Sequence, residues 1–395
     1  GSDDNLGLTS GSPMLTLSRA IDRADSGTGV TINVGAGTYT DENTTISKSN
    51  ITIAGAGKTS TIFDGDGDGR FLIISGNNNT VKDMTVKEYG LTSCTSSCHG
   101  GAIRINNSAT GLTFNDIIFD SNVNDGDQDG SSISYGGAVI VFNNVSATFN
   151  SCIFKNNKMG SSNSSDSDFR GSVFYVGSGS TLNVNNSLFY DNQTSGYGAV
   201  LYAYGGTTTF NNCTMEGNIS YTGNDGISYN VIATVNAKNS IIWNTRFGAS
   251  SGVDIDYVNG TNIIYGSATN STLNGTNSTD DPLFTDAANN DYTLQSSSPA
   301  IGAANTDAMA TDINGITRPQ GTADDMGAYE YRNTWDGSEG NGLWADEDNW
   351  SFGIVPDVND ADNNAPVITS AGTAPIISTN VEIDHLWIRS GSLTI

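Results

Sequence analysis

Residues 100–122, "GGAIRINNSATGLTFNDIIFDSN", decide how the chain is read, because residues 136–157, "GGAVIVFNNVSATFNSCIFKNN", repeat their plan. Each opens on Gly-Gly-Ala and an apolar residue and closes on Phe-x-x-Asn. The second half of the unit returns as "STLNVNNSLFYDN" (180–192), "TTTFNNCTMEGN" (207–218) and "TVNAKNSIIWN" (234–244), with fainter copies at 79–86 and 256–266. The anchors Phe114, Phe149, Val184, Phe210 and Ala237 lie 35, 35, 26 and 27 residues apart. Units of this length, rich in strand formers and turn residues, define a β-solenoid.

The period inside the unit sets its geometry. Ile117, Cys152, Ser187 and Cys213 occupy one position, and Phe119, Phe154, Phe189 and Met215 the position two residues on. Side chains two apart share a strand face, so both columns are expected to point inward and stack. Cys152 and Cys213 then lie two coils apart, about 10 Å at the usual strand spacing, too far for a disulfide. The Gly-Gly-Ala step lets the chain turn tightly where a larger side chain would collide with the next coil. The Asn of Phe-x-x-Asn is expected in a left-handed turn, its amide bonded to the next coil's. Asn122, Asn157, Asn192 and Asn218 would form one ladder, and Asn115, Asn150, Asn185 and Asn211 another. The fold class is all-β, a right-handed parallel β-helix.

The ends are read separately. "SPMLTLSRAIDRAD" (12–25) puts Leu17, Ala20, Ile21 and Ala24 on one helical face, with Ser12 and Pro13 as cap and first-turn residue. This short helix is expected to cover the first coil, as terminal repeats must. Residues 1–331 form the β-helix with its cap and closing segment, and 332–395 a small β-rich module. The first residue is Gly rather than Met, and "SGSLTI" carries no stop signal; both suit a piece of a longer chain.

Composition narrows the partners. The 395 residues include 47 Gly, 7 Pro, 16 Lys plus Arg and 42 Asp plus Glu, a formal net charge of -26. Such a surface repels nucleic acid and anionic membranes, and no apolar run approaches a membrane span. Divalent cations, glycans or basic partners suit it. Cys94 and Cys98 in "CTSSCHG" are either a local disulfide, which an extracellular compartment permits, or two reduced loop thiols. The disulfide is the expectation carried forward.

Several stretches resemble extracellular β-helix proteins of Bacteroidetes-type bacteria: "GLTSGSPMLTLSRAI", "INVGAGTYT", "ITIAGAGKTSTIFDGDG" and the terminal "SPAIGAANTDAMATDINGITRPQGTADDMGAYEY". The last is similar to the segment that closes the β-helix in the choice-of-anchor Q group of surface proteins. The pairing of Gly100–Ile103 with Phe119–Asn122, and of Gly136–Val139 with Phe154–Asn157, is similar to that in chlamydial polymorphic outer-membrane adhesins. Later coils depart from it at "RGSV", "YGAV" and "MEGN". The tail looks like a module of large surface proteins exported by type IX secretion. The resemblance implies a secreted or cell-surface location and contact with secretion or outer-membrane machinery. Trp335, Trp344 and Trp350 of the tail could stack on sugars or form a small core.

Long inserts carry the functional expectation. Thirteen residues separate Asn122 from Gly136 and Asn157 from Gly171, but five separate Asn192 from Gly198. All fall at one corner of the coil, so they stack on one side, joined by the Cys94–Cys98 loop. A shared edge of long loops is where solenoids usually bind. Its candidates are His99, Tyr135, Asp166, Asp168 and Arg170. Asp125, Asp127 and Asp129 in one insert match the start of a calcium loop without its closing Glu, as do Asp64, Asp66 and Asp68, which read as an ordinary turn. Calcium, if bound, is expected at the insert.

These features point to a non-catalytic adhesion module that binds an extracellular glycan or surface. The alternatives are a polysaccharide lyase or glycoside hydrolase, and a structural spacer. His99 and Arg104 resemble elements of polygalacturonase-like hydrolases, but they lie five apart in one strand, the Asn-Thr-Asp at 305–307 and the Asp-Asp pairs at 3–4, 280–281 and 324–325 stand far from them along the chain, and Asp166 and Asp168 sit in a Ser-rich loop. No catalytic residue is assigned.

Overall fold

Strands recur here because each unit pairs only with the units before and after it, in parallel and in register. The computed structural model describes the chain apart from residues 26–28, 92–98, 126–133, 161–167, 223–225, 231, 248–249, 253, 257, 306, 352–354, 357–366, 369–372, 378–385 and 389–395. Leu112–Asp120 pairs in parallel with Thr80–Lys87 on one side and with Ser146–Asn150 and Ile153–Lys155 on the other. Phe114 faces Phe149, Phe149 faces Val184, Val184 faces Phe210 and Phe210 faces Ala237, the alignment expected from the repeat. Two further parallel sheets run beside this one, one through Val123–Asn124 and one through Val139–Val141. The architecture is an all-β parallel β-helix.

The inward columns stack as strand spacing requires. Phe119 and Phe154 lie 4.8 Å apart between centroids at 2°, and Phe154 and Phe189 4.8 Å apart at 9°. Cys152 and Cys213 are buried free thiols, each pushed up to about 12 by burial.

The Asn column is the polar spine of this core. Asn157 Nδ2 donates to Asn192 Oδ1 at 2.9 Å and to the Phe119 carbonyl at 3.0 Å, while its own Oδ1 accepts from Asn122 Nδ2 at 3.0 Å and the Asn122 N–H at 3.1 Å. Asn192 repeats the pattern, and Asn218 ends the ladder, its Nδ2 donating to the Phe189 and Glu216 carbonyls. All four side chains are buried. Their backbone is not left-handed, however. The positive φ falls one residue earlier, at Ser121 (56°), Asn156 (56°), Asp191 (54°) and Gly217 (64°). The Asn amide must point inward to reach its neighbours, so the bend falls on the residue before it. The second ladder runs from Asn185 through Asn150 to Asn115. It does not extend past Asn185, because Asn211 Nδ2 donates instead to the Asp307 carbonyl at 3.0 Å.

At the Gly-Gly-Ala step a Cβ on the second glycine, Gly101 or Gly137, would lie 2.0 or 1.9 Å from the carbonyl oxygen of Gly137 or Ser172 in the next coil, and the first glycine is needed for its backbone. Gly100, Gly136, Gly171 and Gly198 have φ of 73°, 68°, 75° and 74°, a region side chains rarely enter. "RGSV" and "YGAV" keep this glycine and replace only the second, by Ser172 and Ala199.

The N-terminal helix begins later than expected, at Leu17–Arg23 with Thr16 as its cap. Ser12 and Pro13 lie outside it. The Asp3 carboxylate holds the Leu15 and Thr16 N–H groups in a non-helical approach, at 3.1 and 2.9 Å, and Thr16 Oγ1 accepts the Arg19 N–H. Leu17 and Ile21 still pack into the core, where the helix lies against Thr44–Ile46.

The segment 299–331 lies along the side of the solenoid. Met326, Ala328 and Ile313 pack with Phe284 and Tyr292 on the outward-facing Leu188, Ile241 and Ile264. Three left-handed residues in successive coils grip it: Asn186 donates to the Thr311 carbonyl, Asn212 to the Asp325 carbonyl, and Asn239 Oδ1 accepts the Asn305 N–H. Inside the segment, Arg318 donates to Glu330 Oε2 at 2.5 Å and to the Asp325 and Gly327 carbonyls. The tail has its own core, in which Trp335, Trp344 and Trp350 are buried together with Ile368. These rings are therefore core and do not present a sugar platform.

Two predictions follow from this packing. Asn157→Ala leaves a main-chain N–H, a carbonyl and two amides short of partners, at about 1–3 kcal/mol each. It should destabilise by about 3 kcal/mol or more in urea, against less than about 1 kcal/mol for the partly exposed Asn150→Ala. Comparable losses at both sites would overturn the ladder account. The second concerns pH. Burial, and then Glu330 beside it, pushes Asp325 up to about 8. A carboxyl raised on folding contributes stability that is fully present below its unfolded pKa of about 3.9 and lost as pH rises through the folded value. Thermal stability should therefore fall between about pH 4 and 8, and Asp325→Asn should flatten that slope.

Candidate functional site: an aromatic and basic ridge beside the insert corner

The chain leaves each insert at the residue before the left-handed glycine. Those residues are His99, Tyr135, Arg170 and Tyr197. They form one column: His99 bridges to Tyr135, Ser134–Tyr135 pairs with Phe169–Arg170, and Arg170 bridges to Tyr197, all in parallel. Four residues after the glycine come Arg104, Ile140, Tyr175 and Tyr202, again in one register. Their neighbours Val139, Val141, Phe174 and Val176 belong to the interior core. Strand alternation therefore puts this second column on the outer face, where Ile140, Tyr175 and Tyr202 form a separate cluster with Tyr135, Phe142 and Tyr197.

The two columns touch through their rings. Tyr135 lies 4.2 Å from Tyr175, and Tyr175 stacks on Tyr202 at 5.8 Å and 8°. His99 packs 4.9 Å from Tyr135 and 5.7 Å from Phe142. The Arg170 guanidinium sits over Tyr135 at 5.6 Å and Tyr202 at 4.9 Å, and Arg104 over Phe142 at 5.0 Å. Such contacts hold a cation in place without neutralising it. Arg170 Nε is buried with no hydrogen-bond partner among the described residues. Arg70 joins the group by donating to the His99 and Gly100 carbonyls at 3.0 and 2.9 Å. Burial, then the charge of Arg104, pulls Arg70 down to about 10. Burial also pushes the Tyr175 hydroxyl up.

Of the expected face, His99, Tyr135 and Arg170 thus come together. Asp168 stands at its flank, its carbonyl accepting the Ser134 N–H at 2.8 Å. Asp166, Cys94 and Cys98 lie outside the described residues. Tyr197, Tyr175, Tyr202 and Phe142 were missed by sequence reasoning. The signal for the first three was present as the positions one before and four after a repeated glycine, but strand alternation was applied only to the inward columns.

Of the calcium candidates, Asp127 and Asp129 lie outside the described residues. Asp125 is partly buried, and burial raises its carboxyl against the opposing pull of Lys158. Among the described residues no three His, Cys, Asp or Glu side chains gather as metal ligands. Asp64 in the other acidic stretch is bound by Lys87 at 2.7 Å, and its Oδ1 accepts the Asp66 N–H.

No protein-family model matches the chain, and no curated protein is similar to it in sequence. The ridge is therefore judged on its chemistry. Tyr175 and Tyr202 are themselves buried and support the partly exposed Tyr135, Arg170 and Tyr197, whose rings and fixed guanidinium can hold a sugar and its polar substituents. Among the described residues the set holds no carboxylate pair of the kind that glycoside hydrolysis requires.

The ion pair at Asp64 yields a calcium test. In calorimetric titration at physiological salt, Asp66→Asn should leave any calcium binding unchanged, whereas Asp127→Asn should weaken it. Loss of binding in Asp66→Asn alone would place the ion at the wrong acidic stretch.

Proposed function

We propose that this chain is a non-catalytic adhesion module of a secreted or cell-surface bacterial protein, binding a glycan through the ridge beside its inserts. The observation that carries the reading is the column His99, Tyr135, Arg170 and Tyr197, one partly buried side chain per coil on one outer side of a rigid solenoid. Residues at strand spacing of about 4.8 Å present a linear row along the solenoid, which suits an extended chain of sugars. Such a row needs no movement to form, so little ordering entropy opposes binding. The resemblance to Bacteroidetes-type surface proteins, with their type IX secretion, supports the same location, and an acidic surface is compatible with it. Calcium, where bound, is placed by this reading at the insert of Asp125, Asp127 and Asp129.

A glycan array, run with and without calcium, tests the reading. The wild-type chain should bind a limited set of saccharides, and the pair Tyr135→Ser and Tyr197→Ser should abolish that binding while the melting temperature of the β-helix stays near the wild type. Binding to nothing on the array would favour the spacer. Shortening of a polysaccharide during incubation would favour the enzyme.

A further inference from the structure

We infer that the saccharide recognised at this ridge is acidic, carrying a carboxylate or sulfate that the Arg170 guanidinium receives while Tyr135 and Tyr197 flank its rings. The inference rests on the adhesion reading and adds the ligand's charge to it.

The distribution of positive charge supports it. The chain has 16 Lys plus Arg among 42 Asp plus Glu, so partners for a cation are abundant. Lys58, Lys82, Lys87, Lys155, Lys238 and Arg318 all form ion pairs with carboxylates. Arg70, Arg104 and Arg170 form none among the described residues, and neither do Arg19, Arg23, Lys48, Lys158 and Arg246; the three are set apart by standing together beside one column of rings. They point instead at backbone carbonyls, at the Asn106 amide oxygen and at aromatic rings. Three partly buried guanidinium groups on one side of so acidic a chain, unneutralised, are electrostatically unfavourable by themselves. Arg70 registers this directly, since its proton is held less tightly because of burial and the charge of Arg104.

An arriving anion would relieve that cost. Guanidinium is matched to carboxylate and sulfate oxygens by its planar fork of donors. Arg170 is set for the task, because the rings of Tyr135 and Tyr202 fix its guanidinium and no carboxylate among the described residues pairs with it. The negative charge elsewhere does not forbid the encounter. The Debye length is about 8 Å at physiological salt, so an isolated acidic sugar at the ridge is influenced mainly by the groups beside it. A dense polyanion spanning the surface would still be repelled.

The test uses the whole chain on an array of sialylated, uronate-containing, sulfated and neutral saccharides, followed by calorimetry on the strongest hit. Binding should be confined to acidic saccharides. The strongest hit should weaken at least tenfold when its carboxyl is reduced or its sulfate removed, and which treatment acts identifies the anion. Arg170→Gln should weaken binding at least tenfold. Arg170→Lys should retain more than Arg170→Gln, and Lys238→Ala, whose ion pair is with Asp307, should bind as the wild type. Equal melting temperatures for Arg170→Gln and wild type exclude a folding defect; if Arg170→Gln is unstable, the neutralised saccharide tests the same point on unaltered protein. Preference for neutral sugars, or full acidic binding by a folded Arg170→Gln, overturns the inference and leaves the adhesion reading standing. Binding to no saccharide overturns both.

Discussion

The buried asparagine ladder is the constraint on which the other features of the solenoid depend. An amide placed inside an apolar core is costly unless both its donor hydrogens and its carbonyl oxygen are used. Here each amide is used in full, but only if the coil before and the coil after stand one strand spacing away and in register. A slip of one residue would bring the wrong face inward and leave every amide unpaired. Apolar stacking of Phe119, Phe154 and Phe189 supplies driving force without such selectivity, because apolar packing tolerates shifts that hydrogen bonds do not. The ladder selects the register, and the aromatic column then falls into line beside it.

That register accounts for the rest of the coil. The left-handed residue before each ladder Asn turns the chain toward the insert corner, and the left-handed glycine returns it to the next strand. Between these two bends, length is free to vary, because neither the core nor the ladder passes through the insert. The side chains just outside the bends are not free, since the strands that carry them are pinned. This is why one rigid column of His99, Tyr135, Arg170 and Tyr197 can stand beside segments of very different length. Loops can vary while the adjoining ridge keeps its spacing.

The same pinned bends serve a second purpose on the opposite flank of the ladder strands. Asn186, Asn212 and Asn239 occupy left-handed positions, and their amides reach outward to hold the segment 299–331. That segment shields Leu188, Ile241 and Ile264, an apolar outer column that would otherwise face water. Earlier coils solve the neighbouring outer column differently, by alternating Asp64, Lys87, Asp120 and Lys155 across adjacent strands. Lys87 and Lys155 reach the carboxylates of Asp64 and Asp120 at 2.7 and 3.0 Å. Where the charges give way to Tyr190, the covering segment begins.

The β-helix, its inward columns and the partners of each anchor were legible in the residues alone. These follow from a strict period of two within strands and from units that pair only with their neighbours, so alignment of the text is alignment in space. The sequence also placed His99, Tyr135 and Arg170 on one side, since all three sit at the same point of the repeat. What it left open required distances between residues that no period relates. The start of the helix was decided by Asp3 reaching Thr16, and the inward aim of the ladder Asn moved the left-handed bend one residue earlier. The burial of Trp335, Trp344 and Trp350 depended on their meeting one another in the folded tail. Most of all, the contact of the column before the glycine with the column four residues after it joins residues that face outward in different strands. Only the fold's bend at that glycine brings Arg170 over Tyr202 and turns two ordinary outer columns into one surface.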